Sequence, residues 1–499
     1  MATLASRSMF LWVTLLLLLA PAVGAAATLE EKVREHTLAN GLRLLMVERH
    51  DAPTFAAYLA VGVGGVDETS ENRGVAHLLE HMLFKGTTTI GTCDFPREKP
   101  ILDAIEATAT ELDRLRYARI PDPARIAHLE GQLATLQAQH RELVVKDECS
   151  RIYSANGGVG FNAYTSKDLT TYLVELPANK LELWASIEAD RMKNAVLREF
   201  YTERQVVMEE RRRSYDNNPD GLLYENLLAT AFAVHPYRNP IIGWMSDLEH
   251  LTLDETRTFL STYYAPANTV IALVGDIDPD AAVALIERYF GSIPAGVVVP
   301  PVAAVEPPQR GEKRVHIQYE AEPKLSIAFH KPTLPERDDY VFDLIQHILS
   351  EGRTSRLYRA LIEEQQLATS IAAYGAPGSR YPNLFVISAV PRHPHTVAEV
   401  EAAINAELVR LAQEPVMESE LTRARNRLRV DLLRQLKEND GLAQMLTYYQ
   451  TVAGDWRYLT RYDQAAATIT AAEVQAVAAR YLVPENRTVA TLGREGKQP

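Results

Sequence analysis

Residues Gly74–Thr87 read GVAHLLEHMLFKGT, and within them His77, Glu80 and His81 form an H-x-x-E-H. On a helix, positions i and i+4 lie one turn apart on one face, so His77 and His81 can present two imidazoles to one metal ion. Glu80 is offset from that line but close enough to reach a metal-bound water. Two neutral imidazoles and a carboxylate base are what a hydrolytic zinc site requires. Val75, Leu78, Leu79, Met82 and Leu83 supply an apolar face that buries the rest of the helix. The plainer reading of such a pair is two core or surface histidines, since the chain has 13.

The surrounding sequence organises itself around this helix. At the N-terminus, Arg7 precedes an apolar run from Met9 to Ala20, and small residues follow to Ala27. This is the pattern of a secretory leader over residues 1–27, too short to span a bilayer comfortably. An exported protein, periplasmic or secreted, is expected, with no membrane span in the mature chain. The net charge of −13 lacks any offsetting basic stripe and argues against nucleic acid.

From His36 the chain alternates between strand and helix patterns. Leu42–Val47 and Phe55–Val61 read as strands, and Gly62, Gly64 and Gly65 as a turn before the motif helix. Ile101, Ile105, Leu112 and Leu115 repeat at heptad spacing, with Thr108 in the seam. After a break carrying Asp122 and Pro123 at N-cap and first-turn positions, Ile126, Leu129, Leu133, Leu136 and Leu143 repeat again, with His140 in the seam. A helical hairpin is therefore expected over 93–149. Its ends carry both cysteines of the chain, Cys93 and Cys149. In an oxidising compartment, with the hairpin ends returning together, a Cys93–Cys149 disulfide is expected. Further on, Tyr201–Ser214 reads as a helix on which Glu203 and Glu210, seven apart, share a face.

The chain then repeats itself. The frame T-x13-P-x8-G occurs at Thr252–Gly275 and again at Thr470–Gly493, an offset of 218. Asp343 to His347 hold the register of His77 to His81 at an offset of 266, so the first copy carries about 48 additional residues, the size of the hairpin. The expected organisation is residues 28–292, a Pro-rich linker over 293–312, and residues 313–499. In the second copy Asp343 and Gln346 replace the first His and the Glu, so no catalytic metal is expected there.

Together the H-L-L-E-H, the E-R-Q-V-V-M-E-E helix, the N-A-Y-T at 162–165 and the duplicated frame resemble the pitrilysin/insulinase family of inverted-motif zinc peptidases, processing-peptidase type. The resemblance implies an α+β fold of two homologous domains, each a largely antiparallel sheet with helices over one face. It implies one Zn²⁺ per chain on His77, His81 and Glu210, with Glu203 supporting the site and Glu80 as general base on zinc-bound water. It implies that Asn162, Ala163 and Tyr164 lie on an edge strand that pairs with an extended peptide substrate. The family's second domain usually offers an Arg and a Tyr to the substrate carbonyl; here Ile362 and Thr369 hold those positions. A catalytic subunit is therefore expected to act with a related non-metal subunit carrying the Arg/Tyr pair, a homodimer being the other arrangement. A non-catalytic binding or scaffolding subunit of the same fold is the competing function.

Overall fold

The computed structural model describes residues 28–494, so the leader expected over 1–27 lies outside the described residues. Eleven strands form two sheets among them: β1 (Arg34–Thr37), β2 (Arg43–Glu48), β3 (Thr54–Val61), β4 (Val159–Thr165), β5 (Thr170–Pro177) and β6 (Thr269–Gly275), then β7 (Lys313–Gln318), β8 (Lys324–Lys331), β9 (Ala368–Ala376), β10 (Asn383–Pro391) and β11 (Arg487–Gly493). The first sheet runs β1-β2-β6-β3-β5-β4 and the second β7-β11-β8-β10-β9. Apart from β1 the two orders are the same. Each sheet is antiparallel except for one parallel pair, β2 with β6 and β7 with β11. The fold is thus α+β, two copies of one unit. Residues 294–312 between them form no helix or strand.

Alternation along the strands divides each sheet into two buried faces. On the first sheet Leu44, Met46, Phe55, Ala57, Ile271 and Leu273 face the half's own helices, among them the motif helix Val75–Leu83. The opposite face, Leu45, Val47, Ala56, Tyr58, Ala272 and Val274, is covered by Leu442, Ala443, Met445 and Leu446. Those residues belong to the helix Asn439–Val452 of the second half. The second sheet is treated reciprocally: Ala328, Leu384, Val386, Ala490 and Leu492 pack under Leu223, Leu227, Leu228 and Ala231 of the helix Pro219–Ala231. Each half's own helices lie over one face, as expected, and the other half closes the remaining face. A polar knot joins the halves at the β4–β5 turn. Asp168 accepts from the Tyr237 hydroxyl at 2.6 Å and from the Ser379 and Arg380 amides at 2.6 and 3.1 Å.

The hairpin forms from helices Phe95–Arg116 and Pro123–Arg141, the latter capped by Asp122 as its side chain accepts from the Ala124 and Arg125 amides. Its base is ionic rather than wholly apolar. Glu98 receives His140 Nε2 at 2.8 Å and Arg198 Nε at 2.6 Å, and all three side chains are buried. Arg198 also donates to the carbonyls of Lys85 and Ile90, so the hairpin is pinned to the turn just after the motif helix.

The expected Cys93–Cys149 disulfide is absent, and both thiols are free. The hairpin ends do return together, but in another register: the Cys93 amide donates to the Leu143 carbonyl at 2.9 Å, six residues short of Cys149. The chain then turns through Asp147 in the left-handed region (φ 53°) and sends Cys149 into the core on the helix Glu148–Ala155, while Cys93 stays exposed. Burial pushes the Cys149 thiol up to about 11, which makes it a poor thiolate.

Because a helix of the second half closes the first sheet, truncating it should destabilise the first half. Leu446 is fully buried. Leu446→Ala should lower stability by about 2–5 kcal/mol and raise amide exchange in β3 and β6, measured by denaturant unfolding and hydrogen exchange. Protection of those strands unchanged in the variant would contradict the exchange of helices.

Candidate metal centre

The motif helix starts at Gly74, whose φ of +89° and close neighbours explain the residue: a Cβ there would stand 2.6 Å from the Ile242 carbonyl oxygen. Val75, Ala76, Leu78, Leu79 and Met82 are fully buried against the sheet. This rotation leaves His77 and His81 together at the helix's open side, ring centroids 4.7 Å apart. Glu210 is delivered by the neighbouring helix Phe200–Arg211. Its Oε1 lies 3.8 Å from His77 Nε2 and its Oε2 lies 3.5 Å from His81 Nε2. One donor atom from each of the three residues falls within 4.8 Å of the others. Tetrahedral zinc with bonds of about 2.0–2.1 Å places its donors roughly 3.3 Å apart, so the set and spacing suit that ion after small movements. Glu209 points elsewhere, to Arg212 at 2.8 Å.

Glu203 holds His81 from behind. Its Oε1 is 3.0 Å from His81 Nδ1 and its Oε2 is 2.6 Å from Lys85 Nζ. A proton on Nδ1 shared with this carboxylate fixes the tautomer that leaves Nε2 as a lone-pair donor. Burial works against the Glu203 charge, but the hydrogen bonds from His81 and Lys85 prevail and hold its carboxyl down at about 2. Burial opposes a charged His81 as well; Glu203 and the other nearby carboxylates outweigh it and raise its pKa. His77 is pushed down to about 3 by burial and by His81, and is neutral as a metal donor must be. Glu80 is nearly buried, and burial raises its carboxyl although Thr165 Oγ1 donates to its Oε2 at 2.6 Å.

A cleft of about 380 Å³ opens beside His81, lined by Glu80, His81, Phe84, Asn162, Arg198 and Glu203. β4 forms the edge of its sheet, pairing with β5 alone. The side chains of the three residues expected on that edge do not converge. Asn162 lines the cleft, Ala163 sits in the core beneath the motif helix, and Tyr164 packs against the Ala60, Leu169 and Val452 cluster. What the three share is the backbone of the free edge of β4.

The chemistry of Thr165 and Lys85 was not singled out from sequence. Lys85 stands four residues after His81, a spacing that marks the same helix face; Thr165 ends the N-A-Y-T run. In the second half Ile362 packs against the core and Thr369 is exposed, its hydroxyl toward the Val390 carbonyl. Arg359 pairs with Glu364, and Tyr374 packs against the cluster under the helix Pro219–Ala231.

A family model described as insulinase (peptidase family M16) matches residues 43–98 and 126–244, and one described as the peptidase M16 inactive domain matches residues 250–428. The chain belongs to the M16 insulinase family of peptidases. The break between the first two M16 segments falls inside the helical hairpin. The chain is 25% identical over 486 residues to the zinc protease PqqE of Helicobacter pylori, covering 94% of this chain and 95% of that protein. Among solved structures it shares its fold with a protease from Helicobacter pylori, with a TM-score of 0.77 at 24% identity, covering 92% of this chain and 99% of that one. It also shares the fold of the first half of the periplasmic protease PqqL from Escherichia coli, with a TM-score of 0.68 at 17% identity, covering 93% and 92%. No described helix is long and apolar enough to cross a membrane.

The Glu203 contact has a pH signature in metal-free protein. A carboxyl held at about 2 against an ordinary 4.5 contributes stability above 4.5 that is lost as pH falls toward 2. Glu203→Gln should therefore cost about 1–3 kcal/mol near neutral pH, and the gap from wild type should close in acid. Urea unfolding at both pH values measures it; a constant gap would contradict the assigned contact.

Proposed function

We propose that this chain is a zinc-dependent metalloendopeptidase that hydrolyses peptides or unfolded segments. One Zn²⁺ is held by His77, His81 and Glu210. The observation that carries the reading is the convergence of these three donors within 4.8 Å beside the buried carboxylate of Glu80. When bound, the ion would act as a Lewis acid toward a peptide carbonyl and acidify a water. Glu203 keeps His81 oriented and in its donor tautomer. Glu80 is the general base: burial raises its pKa toward working pH, and Thr165 fixes one oxygen while the other remains free of that bond. It takes the proton of the attacking water and returns it to the leaving amine. The free edge of β4 at Asn162–Tyr164 receives the substrate as an added strand, so affinity comes from main-chain bonds and tolerates varied sequence. The leader-like N-terminus, with the periplasmic relative of the same fold, supports an exported protein.

Zinc content and cleavage of a quenched peptide, measured together, test this. Glu80→Gln should keep zinc and lose activity by a factor of about 10² to 10⁴. His77→Ala and Glu210→Ala should lose both, and Glu209→Ala should keep both. Cleavage by Glu80→Gln at the wild-type rate would overturn the mechanism.

With Ile362 and Thr369 where donors to the carbonyl are expected, the metal half is complete and the oxyanion half is not. We therefore assign the chain as the catalytic subunit of a two-subunit enzyme, its partner a similar chain without H-x-x-E-H that carries the Arg/Tyr pair. A purely scaffolding role would leave the intact donor set without a use. The zinc-loaded chain alone should cleave peptide weakly and gain activity with the partner. Full activity alone, unchanged by the partner, would rule the assignment out.

A further inference from the structure

The second half retains a cavity at the register of the metal site, and its chemistry is different. Asp343 and Gln346 occupy the positions of His77 and Glu80 on the helix Arg337–Ser350, and they line a cavity of about 250 Å³. Its charges do not balance. Asp339 and Asp343 stand one turn apart on the same helix face. Lys331, the last residue of β8, forms an ion pair with Asp339 and also donates to the Pro332 carbonyl at 3.3 Å. Asp343 makes no ion pair among the described residues; its Oδ2 accepts one hydrogen bond, from the Tyr462 hydroxyl at 2.6 Å.

A second acceptor is also unfilled. Asn383 lines the same cavity and is 3% exposed, and its Oδ1 has no partner while its amide nitrogen is engaged by the Gly378 carbonyl. Six aromatic residues make up much of the remaining wall. Tyr449 and Tyr458 stack with centroids 5.0 Å apart, and Tyr448 and Tyr462 flank them. A spare carboxylate, an orphan amide oxygen and tyrosine faces together complement a cation that carries N–H donors and some apolar surface. A bare divalent metal fits less well, because the Lys331 ammonium is held beside the same acidic pair.

We propose that this cavity binds a small organic cation, an alkyl ammonium or guanidinium, with its head against Asp343 and Asn383 and its stem along the tyrosines. The group can arrive as a free amine or as the basic side chain of a peptide. Burial and the neighbouring Asp339 raise the Asp343 carboxyl, and a cation seated against it would lower it again. The inference does not rest on the peptidase reading, since none of the proposed zinc ligands lines this cavity.

The test is calorimetric titration of the full chain with n-butylammonium chloride, against sodium chloride and n-butanol at matched concentration. Saturable binding of the amine alone is expected. Asp343→Asn, with its fold checked by near-UV circular dichroism, should weaken it about tenfold or more. Gln346→Lys, at a half-buried wall position, should supply the cation in cis and block binding. Glu80→Gln should bind as wild type does. Competition by a peptide with one internal lysine, compared with its norleucine analogue, identifies the source: displacement by the lysine peptide assigns a side chain, and its absence assigns a free amine. No saturable amine binding, equal affinity in wild type, Asp343→Asn and Gln346→Lys, or stronger competition by calcium chloride would overturn the proposal.

Discussion

The carboxylate of Glu203 lies between His81 Nδ1 and Lys85 Nζ, and the geometry of the candidate metal centre depends on that contact. It joins the helix that carries the two histidines to the helix that carries Glu210. Seven residues on a helix are about 10.5 Å of rise and nearly two turns, so fixing Glu203 against His81 brings Glu210 along the same face to the imidazoles. The helix Phe200–Arg211 is anchored just before its first residue and at its last. Arg198 ties its approach to the turn after the motif helix and to Glu98 of the hairpin. Arg211 pairs with Glu225 at 2.8 Å and donates to the Gly243 carbonyl. Both arginines are buried and paired with carboxylates, although Arg211 Nε has no partner among the described residues, and removing one member of such a pair would leave a buried charge uncompensated.

The second constraint is that neither sheet is complete alone. A sheet with two apolar faces needs cover on both, and each half provides helices for only one of its own. The missing cover is exchanged, so the halves are mutually required although only the first carries the H-x-x-E-H. This gives the second half a structural task independent of chemistry. Its freedom from the zinc motif shows in Asp343 and Gln346, around which a differently lined cavity has formed.

The features legible in the sequence were those written in short-range pattern. The motif helix, the strand alternation, the Asp122-Pro123 cap and the T-x13-P-x8-G repeat each depend on neighbouring residues, and the two offsets located the insertion. The frame of Glu203 and Glu210 was likewise a matter of helical period. What escaped depends on contacts between distant segments. Leu442 to Leu446 lie on the other half's sheet, and nothing local in their sequence says so. The heptad pattern of the hairpin implied that its ends return together, but not that Cys93 meets Leu143 rather than Cys149. His140 fitted the heptad seam, while its true partner, Glu98, is shared with Arg198, a residue 100 positions away from that carboxylate in sequence. Along β4 the family pattern named three consecutive residues, and the pleat necessarily sends their side chains apart.

The most direct measurement of the central claim is anomalous scattering at the zinc absorption edge from a crystal of the zinc-loaded protein. The account predicts one peak per chain, bonded to His77 Nε2, His81 Nε2 and a Glu210 carboxylate oxygen, with Glu203 still on His81 Nδ1. Zinc bound through Glu209 or Glu203, or a peak in the second half around Asp343 in place of the first, would contradict it.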